Sequence, residues 1–219
     1  MKYKRIIERC STMYPMFSEK QESIGMSKRR ALEFLDKYSI RSDNEIQSIK
    51  LLQSRIFHIP TDGLPHEVFH TGYSLKTVLS GCLFNKPDFS IFVETLHLLE
   101  ERCFYIIQND YNGKLEQPLI LKFPVDVSWE EMNSGGMLSD YLLRMPYEQY
   151  FLFGGSGVWG RFTDNEFDCP CDVYGFSGIA EEKINHIFHE EVDYSNDFYK
   201  YLPPVYRESL YGLPDESAA

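Results

Sequence analysis

Residues 66 to 70 read His66-Glu67-Val68-Phe69-His70. This is the H-E-x-x-H pattern that, on a helix, sets two imidazoles one turn apart on a zinc ion, with the glutamate as general base on the zinc-bound water. Glu67 would be that base, His66 and His70 two of the ligands, and Glu94 on the next expected helix the third. Pro65 and Gly72 bracket the motif closely, so a surface turn carrying solvated His and Glu is the competing reading. Gly154-Gly155-Ser156-Gly157 offers a phosphate cradle or a nucleophilic serine. The residues after it, Val158 to Phe162, are strand-like, so no helix N-terminus follows to aim its amides at a phosphate. A serine elbow would need glycine where Val158 stands. A hairpin turn is expected instead. Cys169-Pro170-Cys171 has one residue between its thiols and no matching pair at zinc-finger spacing. His186 and His189 stand three apart on a helix rich in Glu, which reads as a solvated face.

Charge is the next constraint. The formal net charge is -11, but the first 60 residues hold 12 Lys/Arg and 7 Asp/Glu, a net +5, which leaves -16 for residues 61–219. Between residues 164 and 193 nine acids face the single base Lys183. Such a field repels nucleic acid and anionic membrane, attracts a cationic partner and speeds its encounter. Asp164, Glu166, Asp168, Asp172, Glu181 and Glu182 are the acids placed to meet one. Trp159 and Arg161 alternate on a strand and share a face. Were that face open, they would be an anchoring pair of the kind that dominates binding energy; were it covered, Trp159 would be core.

These residues have to be carried by a sizeable fold. At 219 residues with 43% hydrophobic and 25% charged residues, the chain has the composition of a globular protein with a core of its own. Aromatics at 15% are high, and most are expected inside. Five scattered cysteines, an odd number, do not read as a disulfide framework. The start, MKYKRIIERCSTMYP, lacks an apolar h-region, and no run approaches membrane-span length. A reduced cytoplasmic protein is expected.

Ser27 is expected to cap a helix through Tyr38 whose buried stripe is Ala31, Phe34, Leu35 and Tyr38, and a second helix from Ser42 or Asp43 to Phe57 carries Ile46, Ile49, Leu52 and Ile56. Their short link predicts a helical hairpin. As a helix-turn-helix it would offer Lys28, Arg29, Arg30, Arg41, Lys50 and Arg55 to phosphates, against the charge of the rest of the chain. Pro60, Gly63 and Pro65 mark the loosest boundary. Residues 73–84 fit a helix or a buried strand, Phe89 to Leu99 a helix, and CFYIIQ with LILKFPVDV an antiparallel pair. Ser128 and Glu131 form a capping box, opening a helix interrupted at Gly135-Gly136. Strands at about 148–153, 157–163 and 172–176 join the same sheet. Ser177 caps a last helix that turns Ile179, Ile184, Ile187 and Phe188 inward and leaves Glu181 and Glu182 wet. The expected fold is α+β: a mostly antiparallel sheet from the C-terminal two-thirds, with flanking helices and a helical N-terminal part, residues 1–60 and 61–219 packing as one unit.

Phe153, Gly154, Ser156, Gly157, Trp159 and Gly160, followed by Pro170, Asp172, Gly175 and Phe176, make a F-G-x-S-G-x-W-G run, an acidic loop and a P-x-D-x-x-G-F close. Over residues 148–191 this resembles the C-terminal sheet segment of immunity proteins of contact-dependent and polymorphic bacterial toxin systems. The resemblance implies a protein that binds a cognate toxin domain, a basic nuclease being the class an acidic surface fits, and blocks its active site without catalysis or cofactor.

Overall fold

The computed structural model describes residues 7–8, 11, 23–58, 68–79, 86–108, 119–139, 149–164 and 171–184. Along the chain these form α1 (Ile24–Tyr38), α2 (Asp43–Ile56), β1 (Tyr73–Leu79), α3 (Lys86–Leu98), β2 (Cys103–Gln108), β3 (Ile120–Pro124), α4 (Trp129–Met132), β4 (Tyr150–Gly154), β5 (Trp159–Asp164), β6 (Cys171–Ser177) and α5 (Gly178–Ile184). The strands make one six-stranded sheet in the order β1-β6-β5-β4-β2-β3, with every neighbouring pair antiparallel. With its helices this is an α+β fold, as expected.

Side chains alternate across the pleat, so the sheet feeds two apolar layers. One holds Phe104, Leu121, Phe123, Leu152, Trp159 and Phe176 with residues of α1, α3 and α5; the other holds Ile107, Ile120, Phe151, Phe153, Phe162 and Val173 with residues of α2. The aromatic surplus is spent here. Rings run tilted, stacked or edge to face from Tyr38 through Phe123, Phe104 and Phe92 to Trp159, with centroids 4.6 to 5.6 Å apart. Pairs of this kind add about 0.5–1.5 kcal/mol each beyond the area they bury.

The two N-terminal helices do not form a hairpin. Their stripes are buried as the periodicity predicts, but α1 covers one face of the sheet and α2 the other. The link between them runs extended along the open edge of β3, where Ser39 bridges Leu121 and the Ile40 N–H donates to Ile120 O at 3.0 Å. The pair therefore clasps the sheet edge and satisfies backbone groups that an edge strand would otherwise expose. A helix-turn-helix unit is not built. Arg30 instead donates to Ser134 O at 3.0 Å and Arg41 pairs with Asp36 at 2.6 Å.

Capping settles several helix ends. Ser23, not Ser27, caps α1: its backbone is extended and its hydroxyl accepts from Met26 N, whereas Ser27 lies one turn inside and is buried. Ser42 caps α2. Ser128 accepts from Glu131 N at 3.0 Å, completing half of the capping box. The Glu131 carboxylate turns to Lys37 and Tyr38 of α1, whose hydrogen bonds hold its pKa below the usual carboxylate range. Residues 73–79 are a strand. Before α5, the Ser177 hydroxyl is buried and makes no hydrogen bond, so it does not cap. Ala180 fills the core from that helix, while Ile179, expected inward, is 73% exposed. The side chain of Ile184 and residues Ile187 and Phe188 lie outside the described ones.

The end of α3 departs from the usual chemistry. Glu101 N–H reaches Leu96 O and Glu100 N–H reaches His97 O, the paired bonds of a Schellman cap. The left-handed residue, φ 58°, is Glu100 at a site that favours glycine. Its carboxylate meets Lys183 of α5 at 3.0 Å on an exposed surface, where ion pairs contribute little. Glu100→Gly is expected to raise Tm by about 2–4 °C in thermal scans followed by circular dichroism. A fall would mean that the Lys183 pair outweighs the backbone strain.

Candidate functional site

β5 and β6 are the central hairpin of the acidic half. Register sets Asp164 opposite Cys171 and Thr163 opposite Asp172, so the two feet of the connection are paired and carry Asp164 and Asp172. Glu166, Asp168 and Cys169 lie in the connection, outside the described residues, as do the side chains of Asp164, Cys171 and Asp172. Backbone pairing alone thus brings two of the expected acids to one end of the sheet and delivers the acidic connection there.

Glu181 and Glu182 do not join them. They follow Ser177, at the opposite end of β6, and five residue steps along the strand put Ser177 about 17 Å from Asp172. Glu181 is engaged internally: Ser74 of β1 donates to its carboxylate at 2.6 Å. The six acids therefore do not form one patch, and Glu181 and Glu182 leave the candidate surface.

Trp159 and Arg161 share a face, as the alternation predicts, but that face is covered. Trp159 is 1% and Arg161 3% exposed; Phe92 of α3 lies edge-on to the indole at 5.6 Å. Neither is a surface anchor. Trp159 is core, and its indole N–H donates to Glu101 Oε1 at 3.0 Å. The Arg161 guanidinium donates to the Tyr174 hydroxyl at 3.0 Å and lies 5.1 Å from the Tyr174 ring centre. Next to it, a row of buried polar residues crosses the sheet: Gln108 of β2, Tyr150 of β4 and Thr163 of β5 are successive partners in register. Thr163 Oγ1 accepts from Tyr150 N at 2.9 Å. A polar stratum with a buried guanidinium therefore underlies the end of the sheet that carries the acidic feet. The Tyr150 N–H to Thr163 Oγ1 and Arg161 to Tyr174 hydrogen bonds are contacts that a slipped register would lose.

The H-E-x-x-H segment is divided by the limits of description: His66 and Glu67 fall outside the described residues. Val68 stands in a 3-10 turn, and the chain leaves it extended at Phe69 and His70. Phe69 forms an antiparallel bridge with Phe57, and His70 N donates to Ile56 O at 3.1 Å. Val68 and Phe69 are buried in the layer beneath α2. Glu94 is exposed on α3, a helix that covers the other face, so the sheet separates His70 from Glu94. Among the described residues no three His, Cys, Asp or Glu converge on a point where a metal ion would sit. His186 and His189 lie outside them.

Gly154 to Gly157 make the β4–β5 hairpin turn, Gly157 supplying the positive φ of 73°. The Ser156 hydroxyl donates to Glu101. Sequence reasoning missed Glu101, whose carboxylate is the acceptor around which this turn is organised; in the run Leu98 to Arg102 it looks like an ordinary charged helix end. It also missed that Gly160 and Gly175 are direct cross-strand partners. The spacing of the two glycines about an acidic loop was the available signal.

Searches of family models, of curated proteins and of solved structures found no match to this chain.

Proposed function

We propose that this chain is an immunity-type binding protein of the cytoplasm, which neutralises a cognate, basic toxin domain, of nuclease type, by covering its active site without catalysis of its own. One observation carries the reading: Asp164 and Asp172, which bound the acidic run, lie on the paired ends of β5 and β6, two interior strands of the sheet. Asp164, Glu166, Asp168 and Asp172 act there as phosphate-like charges for a cationic cleft. No helix among the described residues is long and apolar enough to cross a membrane, which agrees with this reading without fixing location. The resemblance of residues 148–191 supplies the partner class. Its glycines and aromatics serve the sheet, and recognition falls to the loop they hold.

Attraction of this sort acts mainly on the rate of encounter. The test is association with the product of the reading frame adjacent to its gene. The double variant Asp164→Lys/Glu166→Lys is expected to lower the association rate about tenfold at low ionic strength, with the gap shrinking as salt is raised. An unchanged rate in the variant, or no complex with the adjacent product, overturns the proposal.

A further inference from the structure

The ribbon formed by residues 56–58 and 68–70 holds two imidazoles together. His58 N–H donates to Val68 O at 2.7 Å and His70 N–H to Ile56 O at 3.1 Å. Phe57 and Phe69, bridged between them, point into the core. The residues that follow them lie toward the surface, His58 exposed and His70 half-buried, while the preceding Ile56 and Val68 are buried with the rings. The two rings meet with centroids 3.8 Å apart at an angle of 65°.

The protonation of one ring follows from its partner. His70 Nε2 lies 3.0 Å from Ser54 O, and a carbonyl oxygen only accepts, so Nε2 carries the proton. In the neutral ring this leaves Nδ1 with its lone pair. A backbone carbonyl holding one ring nitrogen while the other stays open is the support that metal-ligating histidines characteristically have, since it fixes both tautomer and ring orientation. His58, exposed beside it, can turn its ring to present a second nitrogen. Imidazole nitrogen suits borderline divalent ions and not hard ones such as Mg2+.

We propose that His58 and His70 form a two-imidazole seat for a single divalent transition-metal ion of the Zn2+, Ni2+ and Cu2+ class, with water completing the coordination. The seat is distinct from the H-E-x-x-H reading, because His58 lies outside that motif and the ligands come from an extended ribbon. It also stands independently of the proposed binding function. The ion would clamp the two ribbon strands to each other and to the C-terminal end of α2.

The probe is NiCl2 titrated by calorimetry into the full, untagged chain after chelator treatment, with MgCl2 as the hard-ion comparison. Ni2+ is expected to bind at one equivalent and Mg2+ not at all. Because His58→Gln and His70→Gln each remove a ligand, each should weaken Ni2+ binding at least about tenfold, taking loss of a supporting contact as the lower bound, while His97→Gln on α3 leaves it unchanged. His58 is exposed, so His58→Gln decides the matter even if His70→Gln unfolds. Retained affinity in a folded His58→Gln protein overturns the seat. So does loss of binding in His66→Gln or in His186→Gln/His189→Gln while His58→Gln binds normally, absence of binding to the native chain, or equal binding of Mg2+.

Discussion

Glu101→Ala is expected to lower Tm by about 6–12 °C, the equivalent of about 3 kcal/mol in a chain of this size. Glu101 leaves the Schellman turn of α3 directed at the β4–β5 hairpin and is 8% exposed. Its Oε1 accepts from the buried Trp159 indole at 3.0 Å, and the Ser156 backbone N lies 3.4 Å from both carboxylate oxygens. The Ser156 hydroxyl is the third donor. The arrangement needs glycine at 154, where a Cβ would fall onto the Glu101 carboxylate and within 2.5 Å of the indole nitrogen. Removing the carboxylate strands a buried indole N–H and undoes the contact that joins α3 to the turn. Glu101→Gln keeps a carbonyl for the indole and should lose less. The control is Trp159→Phe, which removes the donor: in that background Glu101→Ala should cost measurably less, a coupling of about 0.5–3 kcal/mol. Equal costs in both backgrounds, or a Tm within about 1 °C of the parent, would show that the carboxylate is not what secures the turn.

The same residues show where sequence reading succeeds and where it stops. Periodicity located α1 through Ala31, Phe34, Leu35 and Tyr38, and α2 through Ile49 and Ile56, because a buried stripe is a local property of a helix. The Gly154–Gly157 turn and the Ser128 cap were legible for the same reason: each is closed by residues within a few positions of one another. What failed was decided by contacts distant in sequence. The link at Ser39 and Ile40 resembles an interhelical turn until β3, about 80 residues later, is seen to offer it an edge. Whether the Trp159 face is open depends on α3, laid down before the central strands. A count of acids along the chain cannot see that β6 carries Glu181 and Glu182 to the far end from Asp172. For the candidate site this means that the acidic connection was visible as charge, while its anchorage in paired strand ends was not.

Gly160 and Gly175 lead to the second large effect. They face each other across β5 and β6, and their lack of side chains opens a hollow into which the Phe57 and Phe69 rings descend, 4.9 Å apart. A Cβ on Gly160 would lie 2.5 Å from Phe57 Cζ and 2.9 Å from Ile56 Cγ2; one on Gly175 would lie 2.5 Å from Phe69 Cε1. These rings cannot retreat, because Phe57 also packs edge-on against Phe151 at 4.9 Å and is 1% exposed. Overpacking of this kind costs about 1–3 kcal/mol, so Gly160→Ala and Gly175→Ala should each lower Tm by about 2–12 °C. Gly160→Val, with its branched Cβ, should abolish the cooperative transition. The decisive arm is compensation. Phe57→Leu by itself leaves a cavity and destabilises, but it withdraws the ring carbon that the new methyl strikes, so Gly160→Ala/Phe57→Leu should be more stable than the sum of the single losses allows. Strict additivity, or a Gly160→Ala protein as stable as the parent, would mean that the ribbon yields and the glycine pair is not what admits it. If the pair does admit it, the glycines of the F-G-x-S-G-x-W-G run and its G-F close have a physical role: they seat the aromatic ribbon on one face of the hairpin whose far end carries the acids.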